Sequence, residues 1–329
     1  MQRPLEPAGR NRYGGGMGSL EELRQLITRH ASAGGKGVSE VWAAAASAPT
    51  ELVHHVLEPT FVVVAQGAKR AMLGDEMFEY RQGQFLVVGV DLPIAGCVTQ
   101  ASPELPYLSA GLTLRAATIS SLLLEMDPAD VAPTEPAGIA VSDACEELLE
   151  TVVRMLRLKD SPRDAAVLGP LVERELVWRL LHGPQGAMVR QIGLADSRLS
   201  QIGRAIRFIR AHHAEPISIP KLADMVAMSE SSFHRHFRSA TTMSPLQYQK
   251  LIRLQEARAR LLADAGDVAA IGYSVGYDSP SQFSREYSRL FGAPPGRDKL
   301  RLGSRATGAA DGAAQGSTRT TRPAFSSTR

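Results

Sequence analysis

The fold is decided by a pattern that occurs twice between residues 217 and 295, as SIPKLADMVAMSESSFHRHFR at 218–238 and as VAAIGYSVGYDSPSQFSREY at 268–287. Each copy starts with a short apolar segment and continues, after a turn, into a segment with two aromatic residues four positions apart. The pairs are Phe233 with Phe237 and Phe283 with Tyr287. Because positions i and i+4 share one face of a helix, both pairs are predicted to point into a core. The pattern therefore predicts two tandem helix-turn-helix units.

Local signals indicate where these helices begin and turn. Ser229 is a good N-cap for the second helix of the first unit. Gly276 stands at the turn of the second unit, where a positive φ is easiest for glycine. Pro280 is tolerated near a helix start because its missing N–H is not needed there. The predicted supporting faces are Leu222, Ala223, Val226 and Met228 in the first unit and Ala270, Ile271 and Val275 in the second.

The helix faces opposite the aromatic pairs are rich in hydrogen-bond donors. Side chains of this kind reach base edges or phosphates in DNA complexes. We expect Arg235 and Arg285 to contact base edges, and Arg238, Arg289 and Lys250 to contact phosphates. The predicted DNA-binding residues are Ser231, His234, Arg235, Arg238, Lys250, Ser281, Gln282, Arg285 and Arg289.

One continuous helix is predicted to connect the two units. It runs from Pro245 to Leu262 and would be about 27 Å long. Successive major-groove faces of B-DNA are ~34 Å apart, so one chain could place both recognition helices on the same side of a duplex. A purely structural helical bundle is the alternative, and the repetition of the pattern disfavours it. The residues predicted to be buried on this helix are Leu246, Leu251, Leu254, Ala257 and Leu261.

These residues carry a resemblance to a known family. Segment 206–295 resembles the DNA-binding domain of AraC/XylS-type transcription regulators, over a little under a third of the chain. The family usually ends with proline, two residues and then Tyr-Arg, whereas here Pro295 leads to Asp298. This departure predicts a slightly different end of the domain without cost to DNA binding. The matching motifs are Leu222-Ala223, Met228-Ser229, Phe233-His234-Arg235-His236-Phe237, Ile271, Val275-Gly276-Tyr277, Ser279, Gln282-Phe283-Ser284-Arg285 and Phe291-Gly292-Ala293-Pro294.

Upstream, between residues 44 and 114, short apolar runs are punctuated by glycine, a pattern typical of an antiparallel sandwich or barrel. Residues 70–80 around Gly74-Asp75 predict a hairpin. This part also resembles the ligand-sensing domain of a subgroup of the same family, through residues 61–93 and 183–186. The resemblance implies a cupin-like jelly roll without naming an effector. The predicted strands are Phe61–Val64, Ala71–Leu73, Met77–Tyr80, Phe85–Val88, Ile94–Ala101 and Tyr107–Leu114.

Helical periodicity flanks the predicted barrel, so the fold class is α+β. These helices either cap the barrel or form a dimer surface, and both roles stay open. The predicted helices are Leu20–His30, Ile119–Met126, Val141–Leu158, Asp164–Leu181 with a stop at His182-Gly183-Pro184, and Ser200–His212. The predicted organisation is a disordered leader at 1–17, a cupin-like sensor and dimerisation domain at 18–183, a linker at 184–198, the tandem helix-turn-helix domain at 199–302 and a disordered tail at 303–329.

The distribution of charged residues also separates the two predicted domains. Residues 199–302 hold 15 Lys/Arg and 9 Asp/Glu, whereas residues 18–198 hold 15 and 23. A basic domain beside an acidic one indicates that only the former meets a polyanion. No apolar run approaches the roughly 18 residues of a membrane span, and no secretory signal is predicted. Two cysteines in 329 residues are typical of a cytoplasmic protein without a disulfide framework.

Several candidate chemical sites are set aside. His54 and His55 are adjacent on a predicted strand and point to opposite faces, so they do not suit one metal ion. Cys97 has no cation near it in sequence and is predicted to be a buried, inert thiol, and Cys145 is predicted to pack on a helix. The sequence shows no catalytic constellation and no phosphate-binding loop. We therefore predict no enzyme activity, no cofactor and no metal.

The resulting hypothesis is a sequence-specific transcription regulator that binds double-stranded promoter DNA. A small-molecule effector or a dimer contact at the N-terminal domain would control it, RNA polymerase is a further expected partner, and the chain is expected to be a homodimer or a monomer. One alternative is a cupin-type metal enzyme carrying a DNA-binding appendage. A second is a nucleoid-type protein that binds DNA without sequence preference.

Overall fold

A computed structural model describes residues 18–31, 41–126, 137–263 and 267–301. The predicted disordered ends at 1–17 and 303–329 lie outside the described residues. The chain forms two compact units that divide within one helix, between Gln201 and Ile202, with His54–Val56 grouped with the second. Among the described residues, no helix is both long and apolar enough to cross a membrane.

The first unit is a sandwich of two antiparallel sheets flanked by helices. A five-stranded sheet has the order β1-β8-β3-β6-β9, and a four-stranded sheet has the order β2-β7-β4-β5. Non-consecutive neighbours of this kind are typical of jelly rolls, so the predicted α+β class with a cupin-like N-terminal domain is confirmed. The strands are β1 (Val41–Ala46), β2 (Val53–Leu57), β3 (Thr60–Gln66), β4 (Ala68–Leu73), β5 (Glu76–Arg81), β6 (Gln84–Val88), β7 (Leu92–Gln100), β8 (Tyr107–Thr113) and β9 (Ile139–Asp143).

The predicted hairpin is present between β4 and β5. Leu73 pairs with Glu76 across the Gly74-Asp75 turn, and Gly74 has a φ of 59°. Further along the same pair, Arg70 lies opposite Glu79 on an exposed face, where Nη2 of Arg70 is 3.0 Å from Oε2 of Glu79. The hairpin fixes the register of β4 with β5 and thereby decides which of their side chains share a face.

Helices cover the outer face of the five-stranded sheet. Phe61 and Leu112 are register partners on β3 and β8, and both line a small apolar space with Met155 and Leu176. Since side chains alternate along a strand, the residues next to them on β8 point the other way, into the sandwich. The helices of this unit are α1 (Ser19–Ala31), α2 (Ala116–Leu123), α3 (Glu146–Arg157), α4 (Pro162–His182) and α5 (Gly186–Gly193), followed by the start of α6 (Arg198–Ala211).

One predicted helix is wrong in its first third. The apolar periodicity predicted a single helix over Val141–Leu158, but residues up to Asp143 belong to β9, which pairs with β6. Val141 lies opposite Leu86, and the Gln84 amide donates to the Asp143 carboxylate at 2.9 Å. Pairing with the edge of β6, about 55 residues upstream, outweighs the local helical pattern. A short window of sequence does not show this distant partner.

The segment at 184–198, predicted as a linker, holds helix α5. Three apolar side chains of α5 are buried, at Met188, Val189 and Ile192. The helix approaches α2 closely, since a Cβ on Gly193 would collide with Ile119. Residues 186–193 therefore belong to the packing of the first unit.

Apart from His54–Val56, the regular structure in the described residues of the second unit is α-helical. After the remainder of α6 come α7 (Ile219–Met225), α8 (Glu230–Thr241), α9 (Pro245–Ala263), α10 (Val268–Ser274) and α11 (Pro280–Phe291). A helical segment at 295–301 ends the described chain. Helix α9 is the predicted connecting helix, and its 19 residues span about 28 Å.

The two helix-turn-helix units repeat with an offset of about 50 residues. The turn before each recognition helix contains a residue with positive φ, Ala227 at 54° and Gly276 at 92°. Each recognition helix also ends on a left-handed residue, Thr242 at 62° and Gly292 at 74°. The backbone geometry is therefore the same in both copies, although glycine occupies these positions in the second copy only.

Each copy has its own aromatic core. Phe233, Phe237, Phe283 and Tyr287 are all fully buried, as their spacing predicted. The ring of Phe237 contacts Tyr248 of α9 edge-on at 5.7 Å in the first copy. In the second copy, the later part of α9 contributes Leu254, Ala257 and Leu261 to a cluster with Ile271, Val275, Phe283 and Tyr287.

Three residues predicted in these cores lie elsewhere. Leu246 is 58% exposed near the start of α9, and Leu251 is only partly buried. Tyr248 and Ile252 fill the corresponding core positions instead. Ala270 on α10 is exposed as well. The apolar pattern was compatible with either of two neighbouring helix faces pointing into the core. In the structure, the face with the larger buried side chains points inward.

Candidate nucleic-acid interface

Side-chain caps set the first turn of each recognition helix. The Ser229 hydroxyl accepts a hydrogen bond from the backbone N–H of Ser232 at 3.3 Å, and the Ser279 hydroxyl accepts one from Gln282 at 3.4 Å. Pro280 is the first residue of α11, where its missing N–H costs no helical bond. These caps fix the starting points of both helices and so fix which side chains point outward.

The predicted DNA-binding residues lie on the surface of the two recognition helices. All four on α8 and all four on α11 are exposed, on the sides opposite the aromatic pairs. Nη2 of Arg235 lies 3.3 Å from Nε2 of the buried His236, and Nε2 of Gln282 donates to Oε1 of Glu286 at 3.4 Å. The exposed residues are Ser231, His234, Arg235, Arg238, Ser281, Gln282, Arg285 and Arg289.

Two groups among the arginines of this unit have contrasting surroundings. Arg238, Arg285 and Arg289 form no ion pair with any residue in the described part of the chain. In contrast, Arg253 and Arg258 are held by internal acceptors. Unpaired surface guanidinium groups keep all five donors available for phosphates or guanine edges. The first group therefore has the chemistry of a polyanion contact.

Lys250 lies near a carboxylate of the same unit. Its Nζ lies 3.9 Å from Oε1 of Glu286 on α11, although its side chain remains 44% exposed. Glu286 also accepts a hydrogen bond from the Tyr277 hydroxyl at 2.9 Å. Burial and the contact with Glu286 both raise the pKa of Tyr277, which keeps this phenol protonated as a donor. Glu286 thus orients α11 and was not singled out from the sequence.

Two residues of α9 hold the connecting loops together. Nε2 of Gln249 donates to the carbonyls of His213 and Glu215 at 3.0 and 2.6 Å. One turn further, the guanidinium of Arg253 donates to His213 at 2.6 Å and to Gly276 at 2.8 Å. Burial lowers the pKa of Arg253. These contacts tie the loop after α6 to the turn before α11, and only a structure reveals them because the acceptors are backbone atoms.

The second copy has Asp298 where the family usually has a tyrosine, and the repeat explains this difference. Asp298 occupies the position that Tyr248 holds in the first copy, and it is fully buried. Its Oδ2 accepts from the Tyr287 hydroxyl at 2.8 Å and from Nε of Arg258 at 2.9 Å. The first copy pairs Phe237 with Tyr248, whereas the second pairs a tyrosine with a carboxylate. The aromatic is therefore replaced by a satisfied polar network.

The cysteines and histidines that were set aside as chemical sites differ in their exposure and neighbours. Cys145 is exposed at the start of α3, so its predicted packing role is wrong. Cys97 is partly exposed and lies opposite Arg70 on β4, a cation that sequence proximity could not reveal. His54 and His55 are adjacent on β2. Among the described residues, no group of three or more His, Cys, Asp or Glu is placed to hold a metal ion.

Comparisons with known proteins agree with this geometry. Residues 37–188 match the AraC-type transcriptional regulator N-terminus, and residues 222–300 match a helix-turn-helix domain. Together the two matches span more than two thirds of the chain. The chain belongs to the AraC-type transcriptional regulators. The predicted family is thereby confirmed, and the comparisons do not support a metal enzyme with a DNA-binding appendage.

Named relatives of this AraC-type chain are transcriptional regulators. It is 27% identical to the HTH-type transcriptional regulator ArgR of Pseudomonas aeruginosa over 148 residues, which is 44% of each chain. It is 32% identical to the transcriptional activator RhaS of Escherichia fergusonii over 100 residues, 30% of this chain and 35% of RhaS. The chain thus spans less than half the length of these curated relatives.

A solved structure shares the fold. The fatty-acid-bound ToxT of Vibrio cholerae superposes with a TM-score of 0.53 at 8% identity, covering 79% of this chain and 94% of ToxT. At that identity the likeness concerns the fold alone.

Proposed function

We propose that this AraC-type chain is a sequence-specific, DNA-binding transcription regulator whose helices α8 and α11 contact adjacent major grooves of one duplex. The observation that carries the proposal is the division of the arginines. Arg253 and Arg258 are partly buried and donate to internal carbonyls and to Asp298, whereas Arg238, Arg285 and Arg289 form no ion pair with any described residue.

Each exposed residue receives a role from its chemistry. Arg235 and Arg285 occupy equivalent positions of the repeat, 50 residues apart, and both are exposed. A guanidinium at such a position can donate two hydrogen bonds to O6 and N7 of guanine. Arg238 and Arg289 lie one helical turn further and contact phosphates. Ser231, His234, Ser281 and Gln282 supply additional donors, and Lys250 contributes a phosphate contact despite its 3.9 Å approach to Glu286.

The test is footprinting on DNA flanking the gene for this protein, with two substitutions that change the charge equally. Arg285→Ala is expected to weaken binding to the protected site by about 1–3 kcal/mol and to relax base preference at one position. Arg207→Ala removes an exposed arginine of α6, outside both recognition helices, and serves as the matched control. Equal affinity and unchanged base preference for Arg285→Ala would refute the assignment of Arg285.

Competition with random DNA separates this proposal from non-specific binding. A regulator retains its site at physiological salt against an excess of random duplex, whereas a nucleoid-type protein does not. We expect two protected half-elements about one helical turn apart, roughly 10 base pairs. Uniform protection along the fragment would favour the nucleoid-type alternative.

The first unit is proposed to regulate the second through a small-molecule effector and through self-association. Helix α4 buries Leu176, Val177, Leu180 and Leu181 on one side. Its other side exposes an apolar stripe of Val167, Leu168, Leu171 and Trp178. Exposed stripes of this kind mark interaction surfaces, and the occupant proposed here is α4 of a second copy in antiparallel orientation, which sets the stripe against itself.

Sedimentation of wild type and Leu171→Glu tests this contact. A dimer that becomes a monomer on substitution supports it, and a wild-type monomer at all concentrations refutes it. In vitro transcription from the footprinted promoter tests whether the DNA-bound protein also acts on RNA polymerase.

A further inference from the structure

The carboxylate of Glu286 joins three side chains from different parts of the second unit. Its Oε2 accepts a hydrogen bond from the Tyr277 hydroxyl at 2.9 Å. Its Oε1 accepts one from Nε2 of Gln282 at 3.4 Å and lies 3.9 Å from Nζ of Lys250. Gln282 precedes Glu286 by one turn of α11, whereas Lys250 belongs to α9. The second recognition helix therefore carries a carboxylate that contacts a neighbouring residue predicted to bind DNA.

The position of this carboxylate is set from the protein interior. Tyr277 is only 5% exposed, and its ring packs against that of Phe283 at 5.3 Å between centroids. The hydroxyl that holds Oε2 of Glu286 is therefore fixed by the aromatic core of the second copy. The Glu286 side chain is itself 23% exposed, so most of its surface is covered. Glu286 thus presents Oε1 to Gln282 from a defined place.

The contact with Glu286 determines which end of the Gln282 amide faces inward. An ionised carboxylate only accepts hydrogen bonds, so it can face the amide nitrogen of a glutamine but not the amide oxygen. One N–H of Gln282 is therefore directed to Glu286. The second N–H and the carbonyl oxygen remain for other partners, and Gln282 is exposed on the surface of α11. A groove of about 200 Å³ borders both residues, which leaves space beside the amide.

The remaining donor and acceptor of Gln282 match one base in the major groove. Adenine offers N7 as an acceptor and N6 as a donor, and a glutamine can bind both at once. Guanine offers two acceptors, N7 and O6. With one N–H held by Glu286, the carbonyl oxygen of Gln282 would meet the second acceptor of guanine. A fixed amide therefore favours adenine, whereas an amide free to turn can present its nitrogen to either purine.

We propose that Glu286 is a specificity-determining residue, which fixes the amide of Gln282 so that Gln282 selects adenine at one position of the second half-site. Glu286 acts through Gln282 and is a positioning residue. Lys250 offsets the negative charge that Glu286 would otherwise bring close to the DNA phosphates. This inference rests on the proposed function, since it requires α11 to lie in a major groove.

The test measures base preference with the full chain and the footprinted duplex. Each position of the second half-site is replaced in turn by all four base pairs, and the variants compete for binding at constant salt. Gln282→Ala identifies the position that Gln282 contacts. We expect wild type to prefer one orientation of the A·T pair there over G·C by roughly tenfold, and Gln282→Ala to lose this preference at that position alone.

Glu286→Gln separates the fixed amide from the rest of the interface. The new side chain has the same length and keeps an oxygen that can accept from Tyr277, but its amide can face either end of the Gln282 amide. We expect the preference for A·T over G·C at the Gln282 position to fall several-fold. The guanine preference attributed to Arg285 is expected to stay unchanged, because Arg285 does not depend on this contact.

Glu256→Gln is the matched control on α9. Glu256 contacts a basic side chain as well, since its Oε1 lies 2.9 Å from Nε of Arg260, and the substitution removes the same charge. We expect Glu256→Gln to keep the wild-type preference at every position. An equal loss of A·T preference in the two Gln variants would assign the effect to net charge and overturn the proposal.

Three further results would overturn it. One is a wild-type preference for G·C at the Gln282 position, or no change of preference at any position in Gln282→Ala. Another is an unchanged A·T preference in Glu286→Gln. The third is an equal loss at the Gln282 and Arg285 positions in Glu286→Gln, because Glu286 would then place the whole helix instead of one amide. Wild type without base preference at any position would refute the proposed function itself.

Discussion

Gly276→Ala is expected to destabilise the second helix-turn-helix unit strongly. Gly276 has a φ of 92°, and a Cβ there would overlap the carbonyl of Ala214 far inside contact distance. A left-handed conformation alone costs roughly 1–2 kcal/mol for alanine. Relief of the overlap requires the two backbones to separate, yet Arg253 holds both, at 2.8 Å to Gly276 and 3.2 Å to Ala214. Weakening one such charged hydrogen bond adds about 1.5–3 kcal/mol, so we expect a total loss of about 3–5 kcal/mol.

Gly292→Ala is the matched control because only the first of these two costs applies. Gly292 also has a positive φ, 74°, but nothing lies within 4 Å of the Cβ that alanine would add. We therefore expect a loss of roughly 1–2 kcal/mol. Hydrogen exchange of peptides from α10 and α11 in the full chain measures both losses, as changes in the free energy of local opening. Tryptophan fluorescence provides the internal reference, since both tryptophans lie in the first unit.

The comparison has a result that would refute the reasoning. If the two variants lose the same free energy within about 0.5 kcal/mol, the overlap with Ala214 is relieved without cost. The Arg253 contacts would then not hold the turn as the distances indicate. Reduced protection of strands such as β3 in either variant would show that the effect is not confined to the second unit.

Three further outcomes follow from the side-chain contacts. Asp298→Ala is expected to lower the free energy of local opening of α11, measured by hydrogen exchange, by about 3–5 kcal/mol, because it leaves Arg258 unpaired. If the effects of Asp298→Ala and Tyr287→Phe were additive in a double-mutant cycle, the two residues would not share one network. Arg253→Leu should weaken specific DNA binding without altering the salt dependence, measured by titration at several salt concentrations, since this residue positions α11 and contacts no phosphate. Burial raises the pKa of Tyr107 from 10.0 to about 12, against a smaller lowering by Ser109. The folded state thus holds this proton more tightly, so its contribution of about 2–3 kcal/mol is complete below pH ~10 and disappears as the pH rises through ~12; Tyr107→Phe should flatten that alkaline decline in denaturant unfolding.

The helical unit could be predicted from sequence because its signals are local. Phe233 and Phe237 are one turn apart, Ser229 caps the helix they belong to, and Gly276 marks a turn by its own backbone freedom. Each of these signals acts over a few residues. The structure contains all of them at the predicted positions.

Long-range choices could not be predicted in the same way. Residues 141–143 had a helical pattern and became a strand because Leu86 lies opposite Val141. Strand β1 has an Ala-rich sequence with little alternation, and it was not predicted. In both cases a partner far along the chain decides the conformation, and one sequence does not show that partner.

The exposed positions of α8 and α11 were predictable, whereas the residues that support these helices were not. Once the aromatic pairs point inward, the outward positions on α8 and α11 follow from helical geometry. Two supports, Gln249 and Arg253, donate to backbone carbonyls. The third, Glu286, makes a contact between two helices. Contacts of both kinds depend on tertiary structure, which residue type and local spacing do not reveal.

Helix α9 has a consequence for how the spacing of a DNA site can change during evolution. Both recognition helices are attached to this one continuous helix, and Gln249 and Arg253 lock loops to one of its faces. Inserting one residue into it would turn everything downstream by about 100° and advance it by only 1.5 Å. The second recognition helix would then point away from the duplex long before it reached the next base pair. The spacing between the two half-sites therefore sets the rotational position of the second half-site around the duplex as well as its distance. We expect this spacing to change only in steps close to whole helical turns.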